Sequence, residues 1–239
     1  NSTGSGGFTT ADILASRTKL QQNLARTGNR CLLLDSSAMA EAVVDRKGLQ
    51  HSGTALDKQY LNGEMGTADG FTWYENEMLG THANGNDVTG VAIDETVTEG
   101  SSTIHVDGVT TGTGTLTKGQ IFTIADVYMV HPITKVATST LQQFVILADV
   151  TASGTSDADI NISPAIYAAS GGLQNVDSIP ADSAAMVFVG AATTNIKQNL
   201  AYHKEAFKMV SVPLVMPTAV EVAAQETVDG ITVSVIRAF

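Results

Sequence analysis

The chain has 239 residues, of which 43% are hydrophobic and 15% charged, and it carries a net charge of −11. That is long enough for one large domain or two smaller ones with a real core, and too apolar for a disordered chain. No run of about 18 apolar residues offers a membrane-spanning helix, and the negative charge argues against nucleic acid as the main partner, because phosphates would be repelled.

The opening Asn1–Gly7 has no basic region followed by an apolar stretch and no initiating Met, which reads as the start of a processed or truncated piece. Thr9-Thr10-Ala11-Asp12 then offers a capping hydroxyl with an acid three residues on. Ile13, Leu20 and Leu24 share a helical face behind it, and Gly28 is the expected stop. Cys31 to Leu34 reads as a short buried strand, with the lone Cys31 as a small hydrophobe. A single cysteine forms no internal disulfide, which fits synthesis in a reducing cytosol. Ser36 is the expected cap of a second helix that carries Met39, Val43 and Val44 and ends at Gly48; residues 54–62 form a weaker third. Phe71 to Tyr74 reads as a strand whose aromatic residues pack a core.

From residue 86 to about 190 the texture changes. Short apolar runs recur between turn signals at Thr103–Val106, Ile121–Ile124, Phe144–Leu147, Ile160–Ile162 and Met186–Val189. Asp107-Gly108, Lys118-Gly119 and Ser153-Gly154 punctuate them, a spacing that predicts a small antiparallel barrel or sandwich. This stretch holds eleven acids against two bases, a net −9 of the chain's −11. A module with its own charge, placed inside another, is the pattern of an insertion, so the flanks are expected to meet in space. After residue 190, Leu200 to Phe207 reads as a short helical turn, and Lys208–Val212 and Ile231–Ile236 read as strands.

Catalytic patterns are absent. There is no Gly-x-Ser-x-Gly elbow, and Gly112–Gly119 has the wrong order for a phosphate loop and reads as a tight turn with exposed threonines. Asp157-Ala158-Asp159-Ile160-Asn161 imitates a calcium loop, but Ile162 and Ala168 stand where Gly and Glu are required. His51, His82, His105, His131 and His203 each lack a second ligand at metal spacing. Glu75 and Glu77 would share a strand face and read as a solvated pair. Asn1-Ser2-Thr3 matches a glycosylation acceptor that a bacterial cytosolic product leaves unmodified. No cofactor or metal is expected.

Several stretches resemble, in order, the coat proteins of short-tailed enterobacterial phages. They are Arg30–Met39, then Ala55–Gly66 leading into Gly70–Asn76, then Leu116–Val127 and Gln198–Phe207. The resemblance implies an α+β chain with the Hong Kong 97-like capsid fold: a spine helix and a central sheet, with an inserted antiparallel β-barrel. Residues 1–85 would begin the peripheral and axial capsid domain, 86–190 would be the barrel, and 191–239 would return to the capsid domain. The family's N-terminal arm and extended loop are not found, because the chain starts where the spine helix stands. The implied role is a structural subunit of an icosahedral shell, not an enzyme, found in the virion and made in the host cytoplasm. Its partners would be other copies of itself, a scaffolding protein and a portal, with no membrane and no sequence-specific nucleic acid. An acidic barrel repels its like, so Arg17, Lys19, Arg26, Arg46 and Lys47 of adjacent subunits are the candidate inter-subunit contacts. A second reading is a decoration or tail module that recognises a receptor or glycan, which the 5% aromatic content disfavours. A third is an enzyme with an unrecognised site.

Overall fold

The computed structural model describes residues 8–46, 66–111, 113–152, 156–169, 171–208, 210, 212, 222–228 and 231–237. The expected third helix at 54–62 and most of the Ala55–Gly66 stretch lie outside them. Two units are present, Asn1–His203 and Lys204–Phe239.

The first unit opens with helix α1, Thr10–Gln22. The Asp12 carboxylate accepts from the Thr9 N–H at 3.0 Å and from its hydroxyl at 2.8 Å, closing the first turn as the sequence predicts. The helix ends earlier than expected. Asn23 is the C-cap, and Leu24 takes a left-handed φ of 60° and is exposed, so it does not extend the apolar face. Arg30 explains the early stop: its buried side chain donates to the Arg26 and Ala25 carbonyls at 2.7 and 2.6 Å and so folds the chain back.

Strand β1 (Arg30–Leu34) follows, then helix α2 (Ser36–Asp45). Asp35, not Ser36, caps α2, its carboxylate accepting from Ala38 N at 3.3 Å. The buried face of α2 is Ala38, Met39 and Ala42, whereas Val44 is 69% exposed. Phe8 N donates to Glu41 at 2.6 Å and Thr10 N to Asp45 at 2.8 Å, tying the start of α1 to α2. Short β2 (Thr67–Ala68) then pairs with β3 (Phe71–Glu75), which lies parallel to β1, the arrangement a strand–helix–strand crossover produces. Leu32 and Leu34 face Phe71, Trp73, Ile13 and Met39 in one buried cluster, while Leu33 points the other way and is half-buried.

β4 (Thr81–Ala83) leads out of this sheet into the inserted stretch. There β5 (Ala92–Ile93), β6 (Thr103–Asp107), β8 (Ile121–Val130), β9 (Ala137–Ile146), β11 (Ala158–Ser163) and β12 (Met186–Phe188) form one antiparallel sheet in the order β12-β8-β9-β11-β6-β5. A bridge between Ala92 and Ala185 brings its two edges together, so the sheet is nearly closed and barrel-like. β7 (Thr115–Leu116) and β10 (Val150–Thr151) add a small ribbon. All five apolar runs fall on these strands, with Leu147 and Val189 just past their ends. Alternation explains the packing: in β11, Ala158, Ile160 and Ile162 are buried while Asp159, Asn161 and Ser163 are exposed. Register shifts between β8 and β9, with Asp126 at φ 60°, bend the long hairpin. Phe122 sits at the centre, 5.7 Å from both Phe144 and Phe188.

The chain returns through β13 (Asn195–Lys197), paired with β4, and β14 (Leu200–His203), paired antiparallel with β1. Residues 200–203 are therefore strand, and only Lys204–Ala206 form a helical turn, of 3₁₀ type. The flanks of the insertion meet in one four-stranded sheet, β14-β1-β3-β2. In the second unit, β15 (Val222–Val228) and β16 (Ile231–Arg237) form an antiparallel hairpin, and the described residues of the 208–212 stretch belong to no strand. Among the described residues no helix is long and apolar enough to cross a membrane.

Candidate interaction surface

Four of the five basic residues singled out in the sequence lie within the described residues, and they separate on folding. Arg17 is exposed on α1, its guanidinium carbon 3.7 Å from where a Cβ on Gly70 would stand. Arg26 is exposed in the loop before β1. Lys19 is half-buried: its ammonium donates to Gln143 Oε1 on β9 at 2.5 Å, and burial holds its pKa below the usual lysine range. Arg46 is 6% exposed, pairs with Asp69 and lies over the Trp73 ring at 4.7 Å from its centroid. The positive charges of Lys19 and Arg46 are thus engaged within their own chain, because each reaches a partner that folding places beside it. Lys47 lies outside the described residues.

The base of the barrel is tied across its two legs. Asn84, buried, donates its side-chain amide to the Val189 carbonyl at 2.9 Å and the Ala191 carbonyl at 3.2 Å, so the outgoing leg of the insertion holds the returning one. Gln120 is fully buried, and its carbonyl accepts from Thr117 N at 3.1 Å and Gly85 N at 3.4 Å. Gly85 must be glycine: a Cβ there would stand 2.0 Å from the Thr115 carbonyl. Below this knot, Glu77 accepts from Ser36 Oγ at 2.5 Å and from Lys197 Nζ at 2.9 Å. The hydrogen bond from Lys197, with those from Ser36, lowers its pKa to about 2. Sequence reasoning reads Glu77 as a solvated strand residue, yet it joins α2 to the returning leg; nothing local marks it, since its partners lie 41 and 120 residues away.

On the barrel wall, His105 bridges two carboxylates, 2.7 Å from Asp159 and 3.6 Å from Asp94. The hydrogen bond to Asp159 raises its pKa above the ordinary value. Asp159, from the calcium-like stretch, is thereby engaged with an imidazole. Among the described residues no group of three or more His, Cys, Asp or Glu side chains has the geometry to hold a metal ion. The neck cleft, about 400 Å³, is lined by Leu79, His82, Ile121, Val189, Ile196 and Leu200 among others, with no converging acid–base pair.

The described residues thus present an acidic barrel carried on a small mixed sheet. The family described as P22 coat protein, gene protein 5, matches residues 58–238, and the chain belongs to that family. It is a phage coat protein, a structural component of the virion capsid. Among solved structures, the CUS-3 coat protein I-domain is similar over 41% of this chain and 92% of its own, at 28% identity and a TM-score of 0.31. No curated protein matches the chain.

Proposed function

We propose that this chain belongs to the major shell subunit of the phage and tiles an icosahedral capsid through lateral subunit contacts. The observation that carries the reading is the coat-family match over residues 58–238. On this reading the fold is Hong Kong 97-like, with α1 as the spine helix and β14-β1-β3-β2 in the central sheet. Residues 1–85 and 191–239 belong to the capsid domain and 86–190 to the inserted barrel. A scaffolding protein and a portal are the other partners, assembly follows synthesis in the host cytoplasm, and the role is structural and not catalytic. Contact between subunits is electrostatic in part: the acidic barrel meets Arg17, Arg26 and Lys47 of a neighbour, because like-charged barrels repel.

The test is electron microscopy of the full-length product made with its scaffolding protein. Closed particles are expected; a soluble monomer at every concentration overturns the reading. Assembly rate should also change with ionic strength, since exposed charges more than about 10 Å apart are screened at 0.1 M salt. Equal rates at low and high salt remove the role given to Arg17 and Arg26.

A further inference from the structure

The barrel and the sheet that carries it have separate hydrophobic cores. One draws on Val91 to Phe188, and the other on Phe8 to Trp73; they share no residue. The two buried cores thus leave the angle between barrel and body to contacts at the boundary. What joins them is the neck and one polar contact. At that contact Lys19 Nζ donates to Gln143 Oε1 at 2.5 Å, and Gln22 Nε2 donates to Thr140 Oγ1 at 3.2 Å. A cleft of about 330 Å³ opens beside it, lined by Asn23 on the α1 side and by Met129, Pro132 and Gln174 on the barrel side.

We propose that Lys19 and Gln22 form a polar latch that holds the barrel against α1, with the β4–β13 ribbon as its hinge. The ribbon is suited to that role. It is two strands of three residues each, and above it Asn84 and Gln120 lock both legs to the barrel. At its lower end Gly80 has open space around it and is joined to the returning leg by a hydrogen bond from Gln198 N at 3.0 Å. That places the bend at the Gly80–Gln198 level, which the exposed Glu77–Lys197 pair spans. Each latch bond exchanges for bonds to water on opening, so the two together hold the barrel closed and their loss leaves closed and open arrangements little different in free energy. Opening re-aims a barrel whose stretch of chain carries nine net negative charges. Lys19 and Gln22 are positioning residues within their own subunit, and the inference does not depend on shell assembly.

The test uses the soluble full chain with Cys31→Ala and two spin labels, at Ala40→Cys on exposed α2 and Thr96→Cys on the barrel. Double electron–electron resonance then reads the distance distribution. With Lys19 and Gln22 intact a single narrow distribution is expected. Lys19→Met with Gln22→Ala should at least double its width while the thermal midpoint stays unchanged. The exchange Lys19→Glu with Gln143→Lys should narrow it again. If the helix variants fail to fold, Gln143→Ala approaches the latch from the barrel side and should broaden the distribution alike. Equal widths with and without the latch, a broad distribution at the outset, or no narrowing on exchange overturns the proposal.

Discussion

The backbone N–H of Asp35 donates to the Asn199 side chain at 3.0 Å, between positions 164 apart in the chain. Asp35 is also the cap of α2, so one side chain from the returning leg holds the residue that starts the helix. Removing it leaves a largely buried donor without its acceptor. Asn199→Ala should therefore cost about 1–3 kcal/mol in denaturant unfolding. A change within about 0.5 kcal/mol would place the flank pairing outside the stabilising contacts.

The register of β1 makes a sharper prediction. Leu34 is fully buried and Leu33, on the opposite face, is half-buried. Leu34→Ala should cost about 2–5 kcal/mol, and Leu33→Ala clearly less. Measured by urea unfolding under the same conditions, an inverted order would mean the strand faces the other way.

Arg46 supplies a spectroscopic handle. The chain has one tryptophan, and the Arg46 guanidinium lies 4.7 Å from the centroid of its ring. Arg46→Lys keeps the charge but loses the planar fork that pairs with Asp69 and stacks on Trp73. It should shift Trp73 emission and cost about 1.5–3 kcal/mol, the range for a hydrogen bond to a charged group. An unchanged emission maximum with unchanged stability would remove this role.

Glu77 sets an acid limb. Its pKa is lowered to about 2, first by the hydrogen bond from Lys197 and then by those from Ser36. A depressed carboxylate contributes stability that is fully present above its ordinary value near 4.5 and is lost as pH falls toward 2. Lys197 shows the opposite sign: its raised pKa gives a contribution present below 10.5 and lost as pH rises through the folded value. Glu77→Gln should flatten the decline in thermal midpoint between about pH 4.5 and 2. An identical decline in both proteins would show that the contact does not report on folding.

The barrel should fold alone. Its core is drawn wholly from within residues 86–190, and the span lies in the ordinary range of domain sizes. Expressed by itself, this segment should give a β-type circular dichroism spectrum and one cooperative melt. A coil spectrum without a transition would mean that the barrel needs the sheet beneath it for order.

What the sequence by itself determined were the features that depend on near neighbours. Thr9 and Asp12 close a helix turn because their atoms are three residues apart. The runs around Ile104, Phe122, Phe144, Ile160 and Met186 lie in strands because alternation, β-branching and turn residues act within a few positions. The change of texture and charge sets the stretch 86–190 apart in composition, and the resemblance of stretches from Arg30 to Phe207 to phage coat proteins reaches the family. The tertiary structure alone decided the rest. Leu24 leaves the helix because buried Arg30 claims the carbonyls before it. Leu200 to His203 become strand, despite a helical pattern, because β1 offers an open edge. Lys19 and Arg46 carry the same charge as exposed Arg17 and Arg26, and only distant Gln143 and Asp69 separate them. Charge and side-chain length are properties of one residue, whereas burial and partnership belong to pairs that the chain brings together from far apart.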